Sequence, residues 1–232
     1  MGVKDYYERQ YGDESQVKLR LPFLYRKLRR FELNRNDLAC QLALGGDSLL
    51  DIGCGDGELL LLLKDKYRQL YGIDIAKPRI DRIRKKCSNE SNIHVILGDI
   101  NRQLPFADGS FDTITVISVL EHIFDPYHLM KECYRLLREK GTLIVQVPNI
   151  AWFPYRIRAL MGKVPEAPGA EGGEWDYEHL HYFTRTSLKK LFEREGFRVE
   201  RITSGGIFAK PRRIWGSLLS GDIFMVGTKV GG

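Results

Sequence analysis

Several features are missing from this chain, and each absence closes off a class of protein. No stretch approaches the roughly 20 consecutive apolar residues that a membrane-spanning helix needs. The opening MGVKDYYERQYG lacks the apolar core of a secretion signal, so a cytoplasmic protein is expected. Gly2 invites an N-terminal lipid, but Tyr6 stands where a myristoylation motif has Ser or Thr. The four cysteines, Cys40, Cys54, Cys87 and Cys133, show no paired spacing. Reduced thiols are therefore expected, rather than a disulfide framework or a zinc knuckle. Internal repeats and low-complexity tracts are absent too.

What is present is ordinary for a globular protein: 232 residues, 43% hydrophobic and 28% charged. That length is enough for one large domain, and a single domain over 1–232 is expected. The net charge of +6 is concentrated in KLRLPFLYRKLRR (18–30) and AKPRRIW (209–215). Such runs are either solvated faces or surfaces for nucleic acid, anionic lipid or an acidic substrate.

From residue 47 onward, short apolar runs alternate with helical patterns. Strands are expected at 47–53, 69–75, 93–99, 111–118 and 141–149, with helices at 58–66, 77–87 and 125–141. The last of these helices has Asp125 as N-cap, Pro126 in its first turn and Gly141 as its stop. A β-α-β-α order of this kind predicts a Rossmann-like α/β fold: seven strands, mostly parallel, with helices on both faces and the last strand antiparallel. Residues 1–46 are expected as an N-terminal helical cap and 47–149 as the cofactor-binding core. The rhythm breaks over 150–182, where prolines, glycines, Trp152 and Trp175 suggest an irregular lid or substrate insertion. A capped helix ending at Gly196 and strands at 197–204 and 222–230 then complete the 183–232 segment.

The chemistry concentrates in LLDIGCGDGELL (49–60), a strand, a glycine loop and a helix start. Gly53, Gly55 and Gly57 give G-x-G-x-G, and Glu58 stands where the dinucleotide fingerprint G-x-G-x-x-G has its last glycine. Asp51, Asp56 and Glu58 would surround a pyrophosphate with negative charge, with no lysine or arginine in the motif to balance it. A P-loop is excluded as well, because Gly-Lys-Ser/Thr is missing. Asp74, 17 residues after Gly57, lies near the spacing at which an acid accepts ribose hydroxyls. The loop thus suits a ligand with a ribose, no phosphate and a positive charge. S-adenosylmethionine has these properties, and Asp51 can receive its ammonium while the helix N-terminus helps its carboxylate.

LLDIGCGDG resembles the first motif of class I S-adenosylmethionine-dependent methyltransferases. Asp74 in YGIDI, Asp99 in VILGDI and the strand FDTITVISVLEH match its later stations in order. The resemblance implies contact of Gly53, Cys54, Gly55 and Gly57 with the cofactor and of Asp74 with its ribose. It further implies Asp99 on the adenine amino group, Ile75 and Ile100 packing the ring, and Ser118 beside the methionine portion. S-adenosyl-L-homocysteine would be the product. Farther on, VPNIAWFPYRIRALMGKVPE and EHLHYFTRTSLKKLFEREGF resemble the MetW-like and ubiquinone-type O-methyltransferase branch.

The acceptor is less legible. A hydroxyl or acid acceptor must lose a proton, and His122, just after the fourth strand, is the candidate base, with loop ordering as its other reading. His179 and His181 suggest substrate contact or a loop tether. No metal is expected, because neither a cysteine nor a third histidine stands near them in sequence. Asp125-Pro126-Tyr127 is similar to the Asp/Asn-Pro-Pro-Tyr motif of amino-group methyltransferases but falls beyond the strand end and opens a helix. Three functions stay open: O-methylation of a small molecule, glycan or lipid-linked acceptor; a MetW-like subunit that binds the cofactor and serves a partner acyltransferase; or RNA or protein methylation. Nucleic acid is disfavoured because no appended RNA-binding domain is visible. Tyr6, Tyr7 and Tyr11 are candidates to close over the cofactor or to pack on the sheet. The stretch Trp152 to Lys163 suits peripheral contact with an anionic membrane.

Overall fold

The computed structural model describes residues 34–164, 179–205 and 217–231. The three N-terminal tyrosines, both basic runs, Trp175 and Glu178 lie outside the described residues. The sheet is built from β1 (Gly46–Ile52), β2 (Tyr67–Asp74), β3 (Ile93–Leu97), β4 (Phe111–Ile117), β5 (Leu137–Pro148), β6 (Phe197–Thr203) and β7 (Asp222–Lys229). Its order is β3-β2-β1-β4-β5-β7-β6. Strands β1 to β5 pair in parallel, and β7 runs antiparallel between β5 and β6. The Rossmann-like arrangement with an antiparallel last strand is thus the observed one.

Alternation along the strands divides the core in two. Leu50 and Ile52 of β1, Leu143, Val145 and Val147 of β5, and Ile223 and Met225 of β7 face one side. Leu49, Ile144 and Phe224, the intervening residues, face the other. The first side is covered by α4 (Pro126–Leu136) through Leu129, Met130, Cys133 and Leu136, and by α6 (Arg185–Arg194) through Leu188, Leu191 and Phe192. The second is covered by α1 (Arg35–Leu42), α2 (Glu58–Leu63) and α3 (Lys77–Lys86), through Leu38, Leu60, Leu63, Ile80 and Ile83 among others. Thr184 and Ser187 close a reciprocal capping box that starts α6.

Two expectations are corrected. The helix over 125–141 stops at Leu136, because Leu137 turns extended and pairs with Phe111. The chain then bulges before pairing resumes between Thr113 and Thr142, with Lys140 in the left-handed region at φ 62°. Gly141 belongs to that bulge and not to a helix stop: a Cβ there would lie 2.8 Å from the Arg138 carbonyl oxygen. The expected irregular insertion also contains a helix, α5 (Phe153–Leu160), started by Pro154 and exposing Phe153, Leu160 and the following Met161. No described helix is long and apolar enough to cross a membrane.

One network fixes the loop that leads from β3 to β4. Glu132 of α4 accepts the Leu104 amide at 2.9 Å and pairs with Arg135 at 2.8 Å. Arg135 in turn donates to the carbonyls of Phe106 and Leu104 and to Asp108. The Arg135 hydrogen bond holds the Glu132 carboxyl below the usual range. Its contribution is therefore present above the ordinary Glu value and is lost as pH falls through the depressed folded one. Glu132→Gln should lower unfolding free energy by about 2 kcal/mol near neutrality. In urea melts, the gap from wild type should narrow as the medium is acidified.

Candidate functional site

The carboxyl ends of β1, β2 and β4 open into a cavity of about 400 Å³, the place where parallel α/β sheets bind ligands. Beneath it the backbone is tightly tied. The amides of Gly53 and Cys54 both donate to the Ile73 carbonyl, at 2.8 and 3.1 Å. Asp74 accepts from the Gly55 amide at 3.0 Å and from the Ala76 amide at 2.8 Å. Gly53, Gly55 and Gly57 all take positive φ (72°, 55° and 76°), which an L side chain resists. A Cβ on Gly53 would also collide with Val119, whereas Gly55 faces the Arg79 guanidinium at an ordinary distance.

Of the residues singled out in the sequence, Asp51, Gly53, Cys54, Gly55, Asp74, Ile75, Ile100, Ser118 and His122 share this cavity wall. Gly57 sits behind it, against Ile83, and starts α2 from the left-handed region. Asp99 is not brought to the wall. Its carboxylate accepts from the Asn101 amide and side chain, both at 3.0 Å, and Asn101 lines the cavity instead.

Asp51 is buried beneath the loop and accepts from Thr115 Oγ1 at 2.7 Å. Burial pushes its carboxyl up to about 7, against the lowering effect of the Thr115 hydrogen bond and with a further rise from Asp74. Burial likewise raises Asp74, opposed by the Ala76 amide, and lifts the Cys54 thiol well above its ordinary value. The expected excess of acid over base is corrected in part. Arg82 from α3 binds Asp56 at 2.7 Å, Asn36 donates to Glu58 at 2.9 Å, and Arg79 joins the wall. These partners come from elements remote from the loop in sequence. Asp51 and Asp74 are the acids buried at the wall.

At the far end, Ser118 stands at φ 54°, unusual for a residue with a side chain. It is held by Gln146, which accepts from Ser118 Oγ at 2.6 Å, and by Arg35, which donates to that oxygen at 2.9 Å. Neither Arg35 nor Gln146 was legible as a site residue. Arg35 lies outside every motif, and Gln146 reads as one polar position in an apolar strand.

Beside Ser118 the fold assembles Glu121, His122 and His179. The amides of Leu180 and His181 donate to the Glu121 carbonyl at 2.8 and 3.1 Å, which straps the returning chain to the end of β4. The rings of His122 and His179 lie 4.8 Å apart in an edge-to-face pair. Burial pulls His179 down to about 4, with the His122 charge adding to the effect. Burial pushes Glu121 up to about 7, opposed by its own backbone amide and by Arg35. The third histidine that the sequence lacked near His179 is therefore supplied across the fold by His122.

The sequence model of a family described as a methyltransferase domain matches residues 20–202. The chain is 33% identical over 117 residues to the ubiquinone biosynthesis O-methyltransferase of Xanthomonas campestris, covering 48% of this chain and 47% of that protein. It is 29% identical over 171 residues to the demethylmenaquinone methyltransferase of Thermotoga maritima, covering 68% and 73%. It is 30% identical over 141 residues to the bifunctional methionine biosynthesis protein MetXA/MetW of Rhodopirellula baltica, covering 56% and 21%. The first curated relatives are longer proteins, of which this chain spans 59%, 31% and 47%. The fold is that of a chain in the complex between the Haloferax volcanii Trm112 methyltransferase activator and a methyltransferase. That likeness has a TM-score of 0.68 at 17% identity and covers 99% of this chain and 100% of that one.

The raised Asp51 has a consequence for stability. Between its ordinary value of 3.8 and about 7, the folded chain keeps a proton that the unfolded chain has released. The ligand-free fold must therefore lose stability as pH rises through that window. Asp51→Asn should melt several degrees above wild type at about pH 8, and this advantage should vanish below about pH 4. Calorimetric melts across that range check the sign.

Proposed function

The chain belongs to the methyltransferase-domain family, and from that premise we propose that it moves the methyl group of S-adenosylmethionine to an oxygen of a small acceptor. The acceptor class is a small molecule, a glycan or a lipid-linked compound, and S-adenosylhomocysteine is the product. One observation carries this reading: two buried carboxylates, Asp51 and Asp74, share a cavity wall with a loop of left-handed glycines. Phosphates placed there would face buried negative charge, whereas a sulfonium amino acid joined to a ribose meets it favourably.

Each group of the cofactor then has a counterpart. Asp74 spends one lone pair of each oxygen on the Gly55 and Ala76 amides and retains others for the ribose hydroxyls. Asp51 takes the ammonium, and Arg35, beside Ser118, offers the opposite charge to the carboxylate. Ile75 and Ile100 flank the adenine. Asp99 acts through Asn101, whose amide it orients at the ring edge.

Transfer itself is an in-line displacement: the acceptor oxygen bonds to the methyl carbon as the carbon–sulfur bond breaks, and sulfur keeps the electron pair. Positioning provides most of the acceleration in such a step. The acceptor's hydroxyl is best met at His122, the imidazole on the wall. Similarity to the MetXA/MetW protein favours a second reading, in which the chain binds the cofactor and serves a partner enzyme. The Glu121-His122 pair after the fourth strand speaks for transfer.

Calorimetric titration of S-adenosylmethionine should show binding by wild type and at least tenfold weaker binding by Asp74→Ala, about 1.4 kcal/mol or more. Equal affinity would overturn the role of Asp74. Binding by neither protein would overturn the cofactor reading itself.

A further inference from the structure

We propose that Glu121, His122 and His179 form a site for one divalent transition-metal ion of the zinc and cobalt class, facing the acceptor end of the cavity. The donor atoms of these three residues lie within 4.8 Å of one another. Glu121 Oε1 stands 3.9 Å from His122 Nε2 and 4.0 Å from His179 Nε2. These spans are too long for a hydrogen bond. Two ligand atoms on one tetrahedral ion, at bonds of about 2.0–2.2 Å, stand roughly 3.3–3.6 Å apart, so a contraction of about half an ångström in each pair brings the carboxylate and both nitrogens onto one ion.

The carboxylate supplies a second, independent observation. The Glu121 side chain is 1% exposed, and its Oε2 has no hydrogen-bond partner among the described residues. An ionised oxygen so placed is costly unless a positive charge meets it. The scaffold is already closed around the gap, because the two hydrogen bonds from Leu180 and His181 to the Glu121 carbonyl hold His179 across from the strand end. All three pairs, up to 4.8 Å apart, are wider than that tetrahedral spacing, so side-chain rotation that draws the three donors inward completes the set.

Two imidazoles and one carboxylate favour a borderline ion over calcium or magnesium, and three protein ligands leave a coordination position open. Of the three ligands His122 lines the cavity, and in this proposal the open position is the one on that side. This proposal rests on the methyl-transfer reading for its purpose. An ion held there would let a bound acceptor hydroxyl release its proton to water more readily, and the oxygen would bond to the methyl carbon as the carbon–sulfur bond breaks and sulfur keeps the electron pair. His122 then acts by holding the ion and not by taking the proton itself.

The test titrates Zn2+ into the metal-stripped 232-residue protein by calorimetry and follows Co2+ by its visible ligand-field bands, with Mg2+ as comparison. Wild type should bind one Zn2+ per chain, and Co2+ should give the intense bands of a low-coordinate nitrogen–oxygen site. The near-isosteric Glu121→Gln and the truncating His179→Ala should each weaken binding at least tenfold while retaining a cooperative thermal melt. Absence of Zn2+ binding, or equal binding by wild type and both folded variants, would overturn the site. No S-adenosylmethionine is present in the titration, so its outcome is separate from that of the cofactor reading.

Discussion

The site depends on one carboxylate. Asp74 ends β2, yet its two oxygens take amides from the glycine loop after β1 and from the turn that starts α3. Parallel strands leave their carboxyl ends without a tight turn to join them, so something must fix the loops that leave those ends. Here a buried acid does so, and it holds the Gly55 backbone against the cavity. Gly53 and Cys54 complete the tie through the Ile73 carbonyl. A residue that fixes the loop and also lines the cavity ties the fold to the proposed cofactor site.

The same economy explains the charges around the loop. Burial raises both Asp51 and Asp74, and the strain of keeping two acids under one loop is eased by Thr115 and by backbone amides. Asp56 and Glu58 also line the cavity, where Arg82 and Asn36 pair with them. What faces the cavity is thus a graded arrangement. Buried carboxylates stand under the glycines, Arg79 flanks them, and Arg35 stands at the end where Ser118 is held in a left-handed turn. The proposed cofactor, a nucleoside bearing a cationic amino-acid chain, is matched to that gradient in charge, and a pyrophosphate is not.

Much of this was legible in the sequence because the determinants are local. Short apolar runs marked β1 and β5 as strands, and three glycines on alternate positions marked a loop whose backbone comes close to a ligand. The helix over 125–141 was misread because its amphipathic pattern continues through two buried leucines. Leu136 ends the helix and Leu137 begins the strand, a boundary set by pairing with Phe111 and not by any local signal. Arg35, Gln146 and the grouping of Glu121 and His122 with His179 were beyond sequence reading for a similar reason. Each gains its meaning from a partner brought close by the sheet, and spacing along the chain carries no trace of it. Asp99 is the converse: a residue conspicuous in its motif that the fold turns toward Asn101.

The central claim is that an acid-lined glycine loop selects an ammonium-bearing, phosphate-free nucleoside. Competition at one site tests it most directly: S-adenosylhomocysteine, sinefungin and NAD+ are each titrated against protein preloaded with S-adenosylmethionine. The account predicts displacement by the two nucleoside amino acids and none by NAD+. Displacement by NAD+ at comparable concentration would contradict it, because Asp51 and Asp74 would then not be deciding which ligand the loop accepts.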